Sequence, residues 1–73
     1  MDLPRILGRN VRAARLRAGL SQEQLALEAD MKRSYVSDLE RGTRNPSIKA
    51  IERLASALNL APAELLKDPA DGA

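Results

Sequence analysis

The stretch SQEQLALEADMKRSYVSDLERG, Ser21 to Gly42, limits the fold more than any other part of the chain. It holds two apolar-periodic runs, each too short to persist as a helix alone, because nucleating a helix is costly and short isolated helices melt in water. Four residues, Asp30 to Arg33, separate them. Two such helices survive only by packing on each other and on apolar surface from elsewhere in the chain.

The material for that surface is restricted. The 73 residues contain no Phe, no Trp and one Tyr, so a core must be built from Leu, Ile, Val and Ala. A chain of this length makes one domain at most, with a small core and marginal stability. There is no Cys and no His, which removes thiolate chemistry, the usual metal ligands and the usual general base. No Gly-rich phosphate loop or cofactor fingerprint is present, so a non-enzymatic protein with no cofactor and no small-molecule ligand is expected. No apolar run approaches the roughly 20 residues of a membrane span. MDLPRILGRN lacks the uninterrupted apolar segment of a signal peptide. The expectation is a soluble cytoplasmic protein. Net charge is only +2, but residues 1–20 carry five Arg against one Asp, so the positive end is N-terminal.

Five helices follow from the periodicities. Leu7, Val11, Ala14 and Ala18 form a stripe at helical spacing behind Pro4, and Gly19 stops it, giving a first helix over about Pro4 to Ala18. Ser21 and Gln24 form a Ser-x-x-Gln capping box, with Leu20 before it as a staple, and Leu25, Ala26 and Ala29 face inward. A third helix runs from about Arg33 to Arg41 and is stopped by Gly42. Asn45 is held extended by Pro46. Ser47 caps a fourth helix with the stripe Ile48, Ile51, Leu54, Ala55 and Leu58, ended by Asn59. APAELL makes a short fifth, with Pro62 in its first turn. The expected organisation is one domain over residues 1–67 and a polar, flexible tail over 68–73.

A short helix, a join of three or four residues and a second short helix have the lengths of a helix-turn-helix. The surface of the third helix adds to this. At about 100° per residue, Val36, Leu39 and Glu40 share one side while Ser34, Ser37, Asp38 and Arg41 share the other, with Arg33 at the N-terminal end. Small polar side chains flanked by arginines can meet base edges and phosphates at close range.

LRAGLSQEQLALEADMKRSYVSDLERGTRNPSIKAIERLASALNL closely resembles the DNA-binding domain of the phage repressor/Cro superfamily, often called the Xre family. Within it, the resemblance is greatest to small stand-alone regulators, including controller proteins of restriction–modification systems. The elements that carry it are LSQEQLA, SYVSDLERG and RNPS. The resemblance implies an all-α, lambda-repressor-like five-helix bundle that binds double-stranded DNA, with the third helix in the major groove. It implies base contacts from Arg33, Ser34, Ser37 and Asp38. It implies contacts to the DNA backbone from Ser21, Gln22, Lys32, Tyr35, Arg41, Thr43, Arg44 and Asn45. Arg15 and Glu40 match a partly buried ion pair.

Blander roles stay open beside these. Gln22 suits a helix start in any case, Tyr35 could simply cover a groove, and Arg5, Arg9 and Arg12 read as a solvated stripe. A two-fold homodimer is expected, with Leu58, Leu60, Leu65 and Leu66 at its interface, the alternative being that these leucines complete the monomer core. The sequence departs from the family at two positions. Asp30 stands where Gly often ends the second helix, and Lys32 stands where Ser or Thr often caps the third. A second functional reading is an antitoxin-like or coactivator-like module that uses the same fold to hold a protein partner.

Overall fold

The computed structural model describes residues 1–68; residues 69–73, most of the expected tail, lie outside the described residues. The first helix, α1, spans Leu3–Arg17 and starts one residue before the proline signal, because the Asp2 side chain accepts from the Arg5 N–H at 3.2 Å and so caps it. Leu7, Val11 and Ala14 of the expected stripe are buried together with Ile6, while Ala18 stands exposed just past the end of the helix. The second helix, α2, spans Gln22–Ala29 behind the expected capping box. Gln24 N–H donates to Ser21 Oγ at 3.0 Å, and Ser21 N–H donates to Gln24 Oε1 at 2.8 Å.

Asp30, standing where the resemblance often has Gly, takes the left-handed conformation, with φ 57° and ψ 51°. Asp is among the few side chains that tolerate this region, so the turn survives the departure. The third helix, α3, spans Arg33–Glu40, ending one residue short of the expected Arg41. Lys32 occupies its N-cap position, and no side chain caps the helix, as expected of an ammonium that cannot accept a hydrogen bond. Gly42 follows at φ +81°, with the Arg5 side chain packed where a Cβ would go.

The fourth helix, α4, spans Ile48–Ala57, capped by Ser47 Oγ accepting from Ala50 N–H at 3.1 Å. Its apolar stripe begins one turn later than the sequence suggests. Ile48 lies in the first turn and is 79% exposed, while Leu54, Ala55 and Leu58 are buried. Asn59, at φ 58°, reverses the chain into α5, Pro62–Leu65.

The five helices enclose one aliphatic core whose most deeply buried side chains are Val11, Leu25, Val36, Leu39, Leu54 and Leu65. Burying each of these stabilises the fold by about 1.5–3 kcal/mol relative to exposure. Two contacts set how the helices meet. At Gly8 a Cβ would stand 2.4 Å from the Leu39 carbonyl oxygen and 2.8 Å from that of Glu40, so α1 crosses the end of α3 backbone to backbone. Asn10 Nδ2 donates to the carbonyls of Leu65 and Lys67, each at 2.8 Å, and ties the end of α5 to α1.

That tie corrects the expected dimer surface. Leu65 is 1% exposed and Leu58 7%, so both complete the core of a single chain. The reason is that α5 folds back onto α1 and α4 instead of projecting. Leu60 and Leu66 remain half-buried against the core, and they line different surface depressions.

Candidate nucleic-acid interface

The scaffold behind α3 is a polar cluster sealed between helices. Arg15 Nε donates to Glu40 Oε2 at 2.7 Å, and Nη2 donates to Oε1 at 3.1 Å, a two-pronged pair in which both side chains are nearly inaccessible to water. Arg15 Nη1 also donates to the Leu20 carbonyl at 2.9 Å. Gln22 Nε2 donates to Glu40 Oε1 at 3.1 Å. One cluster thus links α1, the turn before α2, α2 itself and α3. The Glu40 hydrogen bond raises the Arg15 pKa above its ordinary value against the opposing pull of burial, so the guanidinium keeps its charge. No buried side-chain nitrogen or oxygen lacks a partner among the described residues. The expected ion pair is present, and Gln22 belongs to it. That anchors the amide of Gln22, the residue expected at a phosphate.

With Val36 and Leu39 buried and Glu40 locked, the remaining face of α3 is fixed in orientation. Arg33, Ser34, Ser37, Asp38 and Arg41 line a single shallow depression on it. All four expected base-contacting residues are therefore brought together, and Arg41 joins them. A second groove, between α3 and α4, is lined by Lys32, Ser34, Tyr35 and Arg44 together with Met31, Ala50 and Arg53. Arg53 has no counterpart in the sequence reading. It is one cation on an exposed helix face, and only the packing of α4 against α2, which itself packs on α3, places it beside Lys32 and Arg44. Ser21 stands exposed at the start of α2, its oxygen already accepting from Gln24.

The loop after α3 is stitched to the helix. Thr43 Oγ1 and Thr43 N–H both donate to the Asp38 carbonyl, at 2.9 and 3.1 Å. The Arg44 guanidinium lies over the Tyr35 ring, 5.2 Å from its centroid, a cation–π arrangement. Asp38 accepts from Arg41 through one carboxylate oxygen and from Arg44, at 3.2 Å, through the other. Asn45, exposed at the far end of the loop, borders an apolar depression formed with Leu3, Pro4, Leu7, Pro46, Ile51 and Leu66.

A recognition-type helix, a basic groove beside it and a preceding short helix braced through Glu40 define the helix-turn-helix class of DNA-binding proteins. Comparison with known proteins narrows this. The family model described as Helix-turn-helix matches residues 11–65, and the chain belongs to that family; it is a DNA-binding transcriptional regulator. It is similar to the control protein C.BamHI of Bacillus amyloliquefaciens, with 48% identity over 62 residues, covering 84% of this chain and 76% of that protein. Among solved structures it resembles the restriction–modification controller protein C.AhdI from Aeromonas hydrophila, with 45% identity, a TM-score of 0.83 and coverage of 85% and 94% of the two chains. It also resembles the hypothetical transcription factor NHTF from Neisseria, with 39% identity, a TM-score of 0.93 and coverage of 97% and 80%. Among the described residues no helix is long and apolar enough to cross a membrane.

Proposed function

We propose that this regulator acts by binding a specific double-stranded operator as a two-fold homodimer, without catalysis, in the cytoplasm. The carrying observation is the outward face of α3. Two serines lie between Arg33 and Arg41 on a helix whose opposite face is buried, so short side chains let the helix approach base edges while the arginines flank it. In this reading Arg33 donates in two-pronged fashion to guanine O6 and N7, and Ser34 and Ser37 contact neighbouring base edges. Lys32, Tyr35, Arg41, Thr43, Arg44 and Asn45 meet the sugar-phosphate backbone on both sides of the helix. Ser21 and Gln22 meet it at the N-terminus of α2, where helix-end N–H groups favour an anion.

The dimensions support dimerisation. An eight-residue α3 is about 12 Å long and reaches only a few base pairs. The described residues span 31 Å in their longest extent, while two recognition helices on one DNA face stand about 34 Å apart. Covering two half-sites therefore takes two chains. Leu60 and Leu66 are the interface leucines that stay accessible at the C-terminal side. The similarity to control proteins supports a place in the regulation of restriction–modification genes.

Binding measured on a preferred duplex and on a random one tests the base-reading assignment. Arg33→Ala should cost about 1–3 kcal/mol on the preferred duplex and little on the random one. An equal loss on both would remove Arg33 from base recognition.

A further inference from the structure

The face of α3 carries one group that opposes DNA. Among the residues lining its depression, Asp38 is the only acid, and a carboxylate brought close to phosphates is repelled. Its charge is already taken up inside the protein. One oxygen accepts from Arg41 Nη2, the other from Arg44 Nη2 at 3.2 Å. The two guanidinium groups arrive from different directions, Arg41 from the end of α3 and Arg44 from the loop. Arg44 is also held by the Tyr35 ring beneath it, and Thr43 closes the loop on the carbonyl of Asp38 itself. A guanidinium recognises a carboxylate and a phosphate with the same fork of N–H donors. Toward these two arginines Asp38 therefore stands where a phosphate would.

We infer that Asp38 is an internal competitor of DNA phosphates for Arg41 and Arg44, and that it holds down the sequence-independent part of this protein's affinity. The inference rests on the DNA-binding reading above and deepens it. In the free protein the three side chains carry a net +1, not the +2 of two open arginines. When DNA binds, each arginine that turns to a phosphate leaves the carboxylate behind, and that carboxylate then faces the backbone. Both effects weaken attraction to any duplex. A regulator must find one site among a vast excess of others, so lower affinity for the excess favours occupancy of the one.

The test uses the full chain, a random-sequence duplex and the preferred duplex, each titrated over a salt series. Asp38→Asn keeps the shape and removes the charge. It should bind the random duplex about fivefold more tightly, the size of one unit-charge contact in a watery setting. Its dependence of log affinity on log salt should steepen by about 1, as for one added phosphate contact. Asp38→Ser should behave the same way, and Asp38→Glu should return both quantities toward wild type. Circular dichroism checks that the variants remain helical. Adding Arg44→Gln to Asp38→Asn should cancel the gain, because the charge released would be missing. Random-duplex affinity that is unchanged or weaker in both neutral variants would overturn the inference. So would a loss confined to duplexes bearing one particular base pair, which would make Asp38 a direct acceptor from cytosine. A wild-type chain that binds neither duplex would remove the DNA-binding reading and this inference with it. Wild-type binding with unaltered variants removes the inference alone.

Discussion

Arg15 and Glu40 show how far the behaviour of one residue depends on its partner. Both are charged and nearly sealed from water, joined by two hydrogen bonds. Moving the pair inside cost both ions their hydration, so its net contribution can be small even though each half is indispensable to the other. Arg15→Ala strands a buried carboxylate, and Glu40→Ala strands a buried guanidinium. Each should lower stability by about 3–5 kcal/mol, a large share of what so small a domain possesses. The Arg15→Ala/Glu40→Ala double variant should lose much less than the sum. Thermal melts of the four proteins measure this, and simple additivity would mean that the pair does not act as a unit. Because the Arg15 pKa is raised, titration of the guanidinium itself removes this contribution only as pH rises through the elevated value.

At the scale of elements, local signals and long-range contacts separate cleanly. The Ser21–Gln24 box, the Ser47 cap, Pro62 in the first turn of α5 and Asn59 are written in neighbouring residues and made α2, α4 and α5 legible, while Pro4, Gly19 and Gly42 with the apolar spacings did the same for α1 and α3, each to within a residue or two. The polar face of α3 was legible too, since periodicity alone sorts Ser34 and Ser37 from Val36 and Leu39. Gly8 was not. Within α1 it looks like a weak helix former, and its role exists only because the carbonyls of Leu39 and Glu40 press against it. The same holds for Asn10, whose two acceptors lie at the other end of the chain. Propensity alone would make Gly8→Ala stabilising by about 1 kcal/mol. The contact reverses the sign. The added methyl meets backbone that cannot swing away, and overpacking of this kind costs about 1–3 kcal/mol. A lower melting temperature for Gly8→Ala is expected, with weaker DNA binding as α3 shifts. A higher one would mean that α1 and α3 stand further apart.

At the scale of the whole molecule, a stripe of leucines cannot say whether it closes its own core or joins another chain. Leu58 and Leu65 turned inward because α5 returns to α1, a decision made by Asn10 and by the limited apolar surface of a chain with no Phe or Trp. What remains outside is one short α3 per chain, a basic groove beside it and half-buried leucines at the C-terminal side. We propose that two such chains together read a two-fold symmetric DNA site. Selection of bound sequences from a random duplex pool tests it most directly. An inverted repeat should be enriched, its half-sites about 10 base pairs apart, centre to centre, with guanine at a position lost in the Arg33→Ala selection. A pool that stays random at every salt concentration, or that enriches a single unrepeated element, would contradict it.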